Sequence, residues 1–482
     1  MVDVVSNKRG SALCVKQMAV NTAPITGLAA AREYLNLLHD PVASMRSLYQ
    51  RGGPLVVLGP VAFGEPVNLH VLAVGPEFNR QVFGDPARFR PTGLFLRGPK
   101  NSAQRRVRFG LTRMTGAQHR QQRQLVMPPF HKTAVQTYHG LMSGITAQML
   151  QRWRPDQRYD IYAEMRELTL QIASAVLFSH DPEEALPIGR LIDRWLRRSF
   201  AGPVWLFPVN VPGSPYHTLL RLAEQIEDEI LAMIAKRRSR PEKHNDVLSL
   251  LMAARDEENH GMTDTELVGQ TAILFMASFE TTASALCWTL FLLAQHPAVM
   301  HELMNELDTV LGGNPPAEGQ LAQLPFLNNV IKESMRVLPP VPYTARATTK
   351  YLDMGPHRVP TGARIFCSHY LTHHLPELYP EPERFRPERW RDINPNQYEY
   401  MPFSAGPRMC IGAAFATQLL KISLTMILQR FRFAVIPETR IDRIVRITMQ
   451  PRQGLPMMIF KNDRKFAAAP VHGQIREMVT LP

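Results

Sequence analysis

The sequence predicts a mainly α-helical protein with small β-sheets, built as a single large domain. Three observations support this fold class. Apolar residues spaced three and four apart dominate from residue 131 onward, as in amphipathic helices. Short stretches of alternating or β-branched residues appear near 54–72, 343–366 and 445–461. The 482 residues show no internal repeat and no linker that would divide them.

The helical pattern starts clearly at Asp160, which is placed to cap a helix ending near Phe178. Two more helices are predicted over 183–200 and 216–238. The connector between them, residues 202–215, is rich in proline and large apolar side chains. Three interpretations stay open for it: a lid over an apolar pocket, a patch touching a membrane, or packing onto the neighbouring helices.

A long apolar helix is predicted next, with Asp264 as its cap and its end near His296. Thirty-two residues at a rise of about 1.5 Å make a rod of roughly 48 Å. The stretch from Leu267 to Ala294 carries one charge, Glu280, so it suits a membrane span by composition alone. Polar residues at its middle are costly in lipid, and we therefore expect a buried central helix.

Composition and charge narrow the function classes. The net charge of +13 suits nucleic acid, an anionic membrane or an acidic protein partner, but no nucleic-acid-binding motif is present. Four cysteines are too few and too scattered for a disulfide framework, which favours a reducing, cytoplasmic location. No targeting signal or membrane span is recognised at the N-terminus.

The strongest local motif surrounds a single cysteine and contains Phe403, Gly406, Arg408, Cys410 and Gly412. Two glycines suit a tight loop whose backbone N–H groups can hold a thiolate. A helix predicted directly after Gly412 would present its positive end to the sulfur. The alternative is a buried structural cysteine, the common role of a lone cysteine in a cytosolic protein.

The complete pattern F-x-x-G-x-R-x-C-x-G resembles the haem-binding loop of the cytochrome P-450 family. The resemblance implies haem b, with Cys410 as the axial thiolate ligand of the iron. It also implies that Phe403 packs beside the sulfur, that Gly406 belongs to the cofactor loop and that Arg408 pairs with a haem propionate. The long helix would then lie over the haem. A P-450-type domain is expected over residues 31–464, between an N-terminal extension at 1–30 and a C-terminal tail at 465–482.

A second motif lies on the helix predicted over 325–337. Glu333 and Arg336 are three residues apart and so share one helical face. They are similar to the family's E-x-x-R pair, which implies a third, structural partner from the segment around 385–390. We assign that partner to Arg389, with Arg386 as the second choice.

The long helix also carries residues similar to the family's oxygen-binding pattern. Glu280 and Thr281 are an acid followed by an alcohol, a pair able to relay protons to bound oxygen. Ser278 stands where the family usually has glycine, which would narrow or polarise the groove. For Thr281 alone, the other interpretation is a hydroxyl bonded back to its own helix.

Further propionate contacts are implied for His119 and Arg123, four residues apart on one helical face, and for Arg346. A solvated basic face is the alternative for this group. The arginine-rich stretch 97–113 lies where the family places a substrate-contacting loop. It would either meet a substrate carboxylate or lie in solvent, and solvent is the preferred interpretation.

Three clustered histidines, His369, His373 and His374, have no cysteine or paired carboxylate at zinc spacing. We interpret them as surface or hydrogen-bonded side chains.

The resemblance implies a monooxygenase that uses O2 and electrons from a separate ferredoxin or flavodoxin-type donor with its reductase. Its substrate would be hydrophobic, such as a fatty acid, terpenoid or steroid. Two alternatives are kept: a peroxide-driven haem-thiolate enzyme, and a non-enzymatic basic peripheral-membrane protein. The second would purify without colour.

Overall fold

The computed structural model describes residues 23–59, 69–93, 95–179, 181–239 and 246–482. The N-terminal residues examined above for a targeting signal lie mostly outside these ranges. The described helices are α1 (Gly27–His39), α2 (Pro41–Gly52), α3 (Pro76–Gly84), α4 (Ala103–Val107), α5 (Gly116–Val126), α6 (Lys132–Thr137), α7 (His139–Arg152), α8 (Ile161–Leu177), α9 (Pro182–Ser199), α10 (Gly202–Leu206), α11 (Pro215–Ser239), α12 (Val247–Ala253), α13 (Asp264–Gln295), α14 (Pro297–Leu311), α15 (Pro325–Val337), α16 (His369–Thr372) and α17 (Ala413–Arg430).

The described strands are short and form small sheets. They are β1 (Leu55–Leu58), β2 (His70–Ala73), β3 (Phe89–Pro91), β4 (Gln157–Asp160), β5 (Tyr343–Thr348), β6 (Leu352–Met354), β7 (His357–Val359), β8 (Arg364–Ser368), β9 (Phe431–Val435), β10 (Thr439–Arg440), β11 (Arg443–Val445), β12 (Met449–Pro451), β13 (Pro456–Lys461) and β14 (Val471–His472). Five strands pair in the order β1-β2-β8-β5-β3, and three in the order β4-β13-β9. The predicted fold class, mainly helical with minor sheet, is confirmed.

Helix starts show how local chemistry sets the element bounds. The Asp160 carboxylate accepts the backbone N–H groups of Tyr162 and Ala163, so the predicted cap of α8 is confirmed. The predicted cap of α13 was one residue off. Thr263 is the N-cap and Glu266 completes a capping box, because each side chain accepts the other's backbone N–H.

Helix α13 is the central element of the fold. In the described part of the chain it is the one helix long and apolar enough by composition to cross a membrane, yet most of its side chains are buried. Helices α4, α8, α9, α15 and α17 pack around it, so nearly every face meets protein. The predicted buried central helix is confirmed.

The apolar connector after α9 is mostly exposed. Val204 is buried, whereas large apolar side chains beyond it face solvent, namely Trp205, Leu206, Phe207, Val209 and Val211. Simple packing onto the neighbouring helices therefore accounts for only a small part of this segment. The lid and membrane-contact interpretations remain hypotheses for the rest.

Residues after 464 belong to the same packed body. Strand β14 pairs with β10 in parallel, and the side chains of Val471, Ile475, Met478 and Val479 are buried. The boundary at residue 464 remains a prediction about the catalytic domain, but the residues beyond it contribute to its core.

Candidate active site

The cysteine loop lies between a short helical turn and α17. Gly406 has φ +68°, and a Cβ atom there would lie 2.2 Å from the carbonyl oxygen of Phe83, so glycine is required. The Cys410 backbone N–H donates to the Phe403 carbonyl at 2.9 Å, which closes the loop. Helix α17 begins three residues later, at Ala413. The loop thus presents the sulfur beside the positive end of a helix.

The Cys410 thiol opens onto an internal cavity that also touches Phe403 and the middle of α13. The sulfur is accessible from that cavity although protein surrounds it. This burial raises the pKa of the thiol, while the Gly412 backbone N–H and the charge of Arg123 lower it. The Gly412 N–H and the charge of Arg123 therefore favour the thiolate, whereas burial opposes it.

The wall of the cavity opposite the cysteine is a face of α13. Leu274, Ala277, Thr281 and Ala285 line it at helical spacing. The Thr281 hydroxyl donates to the Ala277 carbonyl at 2.9 Å, which is the back-bonded arrangement considered above. Thr281 still lines the cavity. Ser278 likewise uses its hydroxyl within the helix, on the Phe275 carbonyl.

Glu280 does not line the cavity with Thr281. Its carboxylate accepts from Arg166 of α8 at 3.1 Å, and Arg166 also pairs with Asp193 of α9. Burial raises the pKa of Glu280, and Arg166 opposes that shift. One residue along an α-helix turns the side chain by about 100°, which separates the two members of the predicted relay pair.

The predicted propionate contacts come together on one side of the cavity. We call His119, Arg123, Arg346 and Arg408 the cationic cluster. Burial first, then the charges of Arg346 and Arg123, lower the pKa of Arg408 to about 10. Burial and three nearby arginines, Arg408 first, lower that of His119 to about 4. The Arg408 Nε is buried without a partner, and no described carboxylate pairs with any member.

A cluster of buried, repelling cations is costly unless an anion joins it. The two propionate groups of a haem would supply two carboxylates of this kind. The orphaned guanidinium nitrogen and the open thiol therefore fit a haem between α13 and the cysteine loop. The solvated-face alternative does not describe His119 or Arg346, which are buried, nor Arg408, which is half-buried.

The E-x-x-R residues lie in a separate, fully buried group that we call the glutamate network. Arg336 donates to both carboxylate oxygens of Glu333, at 2.8 and 2.9 Å. Arg389 and the Trp390 indole donate to the same carboxylate, each at 2.9 Å. The Arg386 side chain instead pairs with exposed Glu381, and only its backbone N–H reaches Glu333. The geometry therefore favours Arg389 over Arg386.

The three clustered histidines are largely or fully buried, so a surface position is wrong for them. His373 Nε2 accepts the Met401 backbone N–H, and His374 Nδ1 lies 2.7 Å from the Tyr370 carbonyl oxygen. His369 lines the cavity beside Arg346. Their burial follows from the packing of α16 under the five-stranded sheet, which the sequence pattern did not reveal.

Sequence reasoning missed Arg166 and Asp193, and it did not place His369 at the cavity. Arg166 and Asp193 come from α8 and α9, far from Glu280 in sequence, so no spacing rule joins them. A weak signal existed: Arg166 directly follows the core residue Met165 on an otherwise apolar face of α8.

Comparison with known proteins agrees with this geometry. A family model described as cytochrome P450 matches residues 40–456. A cyclooctat-9-en-7-ol 5-monooxygenase of Streptomyces melanosporofaciens is 32% identical over 379 residues, covering 76% of this chain and 81% of that protein. Cyclooctatin synthase of the same organism is 32% identical over 431 residues, covering 86% and 90%. A solved structure titled retinoic acid bound cyanobacterial CYP120A1 has 25% identity and a TM-score of 0.78, covering 89% of this chain and 96% of that one.

Proposed function

The chain belongs to the cytochrome P450 family, and from this premise we propose that Cys410 is the axial thiolate ligand of its haem b. The chain is a haem-thiolate monooxygenase, which inserts one oxygen atom from O2 into an organic substrate. The observation that carries the assignment of Cys410 is its place between an open cavity and a helix N-terminus. The two other described cysteines, Cys287 and Cys367, are buried elsewhere.

The remaining cofactor contacts follow from charge. The cationic cluster would hold the two propionates, with Arg408, Arg123 and Arg346 as donors. Phe403 would pack beside the sulfur and Gly406 would let the loop pass under Phe83. Bound haem supplies the redox and oxygen-activating chemistry, and the chain supplies position, dryness and charge.

The Thr281 hydroxyl would be the last donor on the chain's own proton path. Its Oγ1 can accept a proton from the interior and donate one into the cavity, provided that its bond to the Ala277 carbonyl opens. Glu280 would supply that proton indirectly, because its carboxylate is held by Arg166 on the side away from the cavity. Arg166 and Asp193 are thus positioning residues for Glu280.

The substrate would be a hydrophobic organic molecule, such as a fatty acid, terpenoid or steroid. Most of the side chains that line the cavity are apolar, including Leu274, Met335, Val341 and Phe415. The printed names of the relatives point the same way: one acts on cyclooctat-9-en-7-ol, and another was solved with retinoic acid.

Electrons would come from a separate ferredoxin or flavodoxin-type carrier with its reductase, in the cytoplasm. The net charge of +13 suits an acidic carrier. Arg120 is exposed on α5, the helix that carries His119 and Arg123, so it is placed to meet such a carrier. An Arg120→Glu variant should slow reduction by a ferredoxin and leave haem content unchanged.

The decisive experiment compares purified wild-type protein with Cys410→Ser by the absorption spectrum of the reduced, carbon-monoxide-bound form. We expect the thiolate-type band in the wild type and its loss, together with all oxygenation, in the variant. Cys367→Ser is the matched control and should keep both. An unchanged spectrum in Cys410→Ser would refute the assignment.

The peroxide-driven alternative is kept because Glu280 faces away from the cavity. Turnover supported by hydrogen peroxide and by a ferredoxin system would be measured on the same preparation. Turnover with peroxide alone would favour the alternative, and O2-dependent turnover that falls in Thr281→Ala would favour the proton path proposed here.

A further inference from the structure

A second group of unneutralised arginines lies between β3 and α5, apart from the cationic cluster. Arg108 is only 4% exposed, and its Nε has no hydrogen-bond partner. The Nη1 of Arg113 is also buried and unpartnered. We call Arg108 and Arg113 the rim pair. Both were expected in solvent on the sequence; Arg108 is buried and Arg113 is half-buried, which corrects that expectation.

The two guanidinium groups of the rim pair converge on one point of the backbone. A Cβ atom placed on Gly93 would lie 2.4 Å from Arg113 Nη1 and 3.5 Å from Arg108 Nη2. Any side chain at position 93 would therefore fill the space beside these nitrogen atoms. The lack of a side chain at Gly93 leaves the two donors side by side.

Their charge is not balanced by the protein. Burial, then Arg113 and two other arginines, lower the pKa of Arg108 to about 10. In the described chain no carboxylate pairs with either member, whereas neighbouring Arg106 is paired with Glu227. A buried guanidinium group beside a half-buried one, each with an inaccessible unpartnered nitrogen, favours an anion between them, and their planar donors match a carboxylate.

The segment that carries the rim pair contacts elements that line the cavity around Cys410. The Leu111 backbone N–H donates to Gln270 of α13 at 2.9 Å, and the Met114 carbonyl accepts from Arg408. On the other side, Pro91 is registered opposite Arg346, a cavity-lining residue. The segment carrying the pair thus runs from α13 to the cationic cluster.

Two sources of a carboxylate are available there, a haem propionate and the substrate. The cationic cluster already offers four cationic or titratable side chains for two propionates. Charges acting on the rim pair come from Arg97 and Arg105, not from that cluster. We therefore propose that Arg108 and Arg113 bind a carboxylate of the substrate, so that the enzyme oxygenates hydrophobic carboxylic acids. This inference rests on the proposed function.

The test compares acid and alcohol pairs with the same skeleton on the haem-loaded protein. The pairs are tetradecanoic acid with 1-tetradecanol, and retinoic acid with retinol. Binding is followed by the substrate-induced change of the haem absorption band. In the wild type we expect at least one acid to bind about 10-fold or more tightly than its alcohol. In Arg108→Gln and Arg113→Gln that preference should fall to near parity while the alcohol affinity stays unchanged.

The double variant Arg106→Gln/Glu227→Gln is the matched control, since it removes a neighbouring arginine with its own partner. It should keep the preference for the acid, and Arg108→Lys should restore part of it. Haem content and the carbon-monoxide spectrum are measured on every variant. Loss of haem from Arg108→Gln and Arg113→Gln with the acid preference intact would assign the pair to a propionate and overturn the proposal.

Equal affinity for acid and alcohol in both wild-type pairs would also overturn it. Absence of the thiolate spectrum in the wild type is a different result, because it contradicts the proposed function and not the anion site. In that case binding of the acids is followed by the change in melting temperature, and the same variants must abolish it.

Discussion

The glutamate network and the cationic cluster are both buried and charged, yet they differ in balance. In the network, the Glu333 carboxylate receives Arg336, Arg389 and Trp390, and Arg336 also donates to the backbone carbonyls of His373 and Pro382. In the cluster, Arg408 has an unpartnered Nε and repels Arg346 and Arg123. A buried group whose charges and hydrogen bonds are balanced stabilises the fold by itself. A group that lacks a counter-charge indicates a binding site for an anion.

The largest effect should come from opening the network. Glu333→Gln leaves two buried guanidinium groups without a counter-charge, so we expect the free energy of unfolding to fall by about 3–5 kcal/mol. Urea unfolding followed by circular dichroism measures this. Glu381→Gln, in an exposed ion pair, is the control and should cost less than about 1 kcal/mol. Equal losses in the two variants would contradict the comparison.

Acid should lower the stability of the folded protein through His369, which lines the cavity. Burial, then Arg346, lowers the pKa of His369 to about 4 in the folded state. As pH falls, His369 of the unfolded chain therefore takes up a proton near pH 6.5, whereas in the folded protein it stays neutral until about pH 4. The contribution of neutral His369 to the free energy of unfolding is fully present above pH 6.5. It is lost as pH falls toward 4, by about 3 kcal/mol at most. His369→Gln should flatten this decline in unfolding experiments, and a slope unchanged from wild type would refute it.

Removing a charge from the cationic cluster should change the free energy of unfolding in the opposite direction from removing Glu333. Arg408→Gln removes a half-buried charge that Arg346 and Arg123 repel, so the haem-free protein should be as stable as the wild type or more so. Haem binding should weaken by about 1.5–3 kcal/mol through loss of a charged hydrogen bond. Haem transfer to a scavenger globin measures the affinity for haem, and urea unfolding measures the stability of the haem-free protein. A large loss of stability without haem would place Arg408 with the glutamate network instead.

The smallest effect separates two arginines of one segment. Arg386→Gln should change the free energy of unfolding by less than about 1 kcal/mol, because its side chain meets only exposed Glu381. Arg389→Gln, which loses a buried bond to Glu333, should cost clearly more. Equal values for the two, from paired urea titrations, would show that the network does not discriminate between them.

Several features were predictable because their chemistry is local in the chain. The bounds of α15 match the apolar spacing, and the Asp160 cap follows from one side chain and the next turn. The predicted cap of α13 was one residue off because Thr263 and Asp264 are both good caps, and the reciprocal bond with Glu266 favours Thr263.

The sequence by itself determined the helical class, the central helix and the cysteine loop, because each depends on residues a few positions apart. Only the tertiary structure decided that Glu280 turns to Arg166 and Asp193 and that His369 reaches the cavity. It also decided that Arg108 is buried and Arg113 half-buried, with no carboxylate among the described residues paired with either. Those outcomes depend on which segments meet in space. Burial and electrostatic balance arise from neighbours that no spacing along the chain specifies.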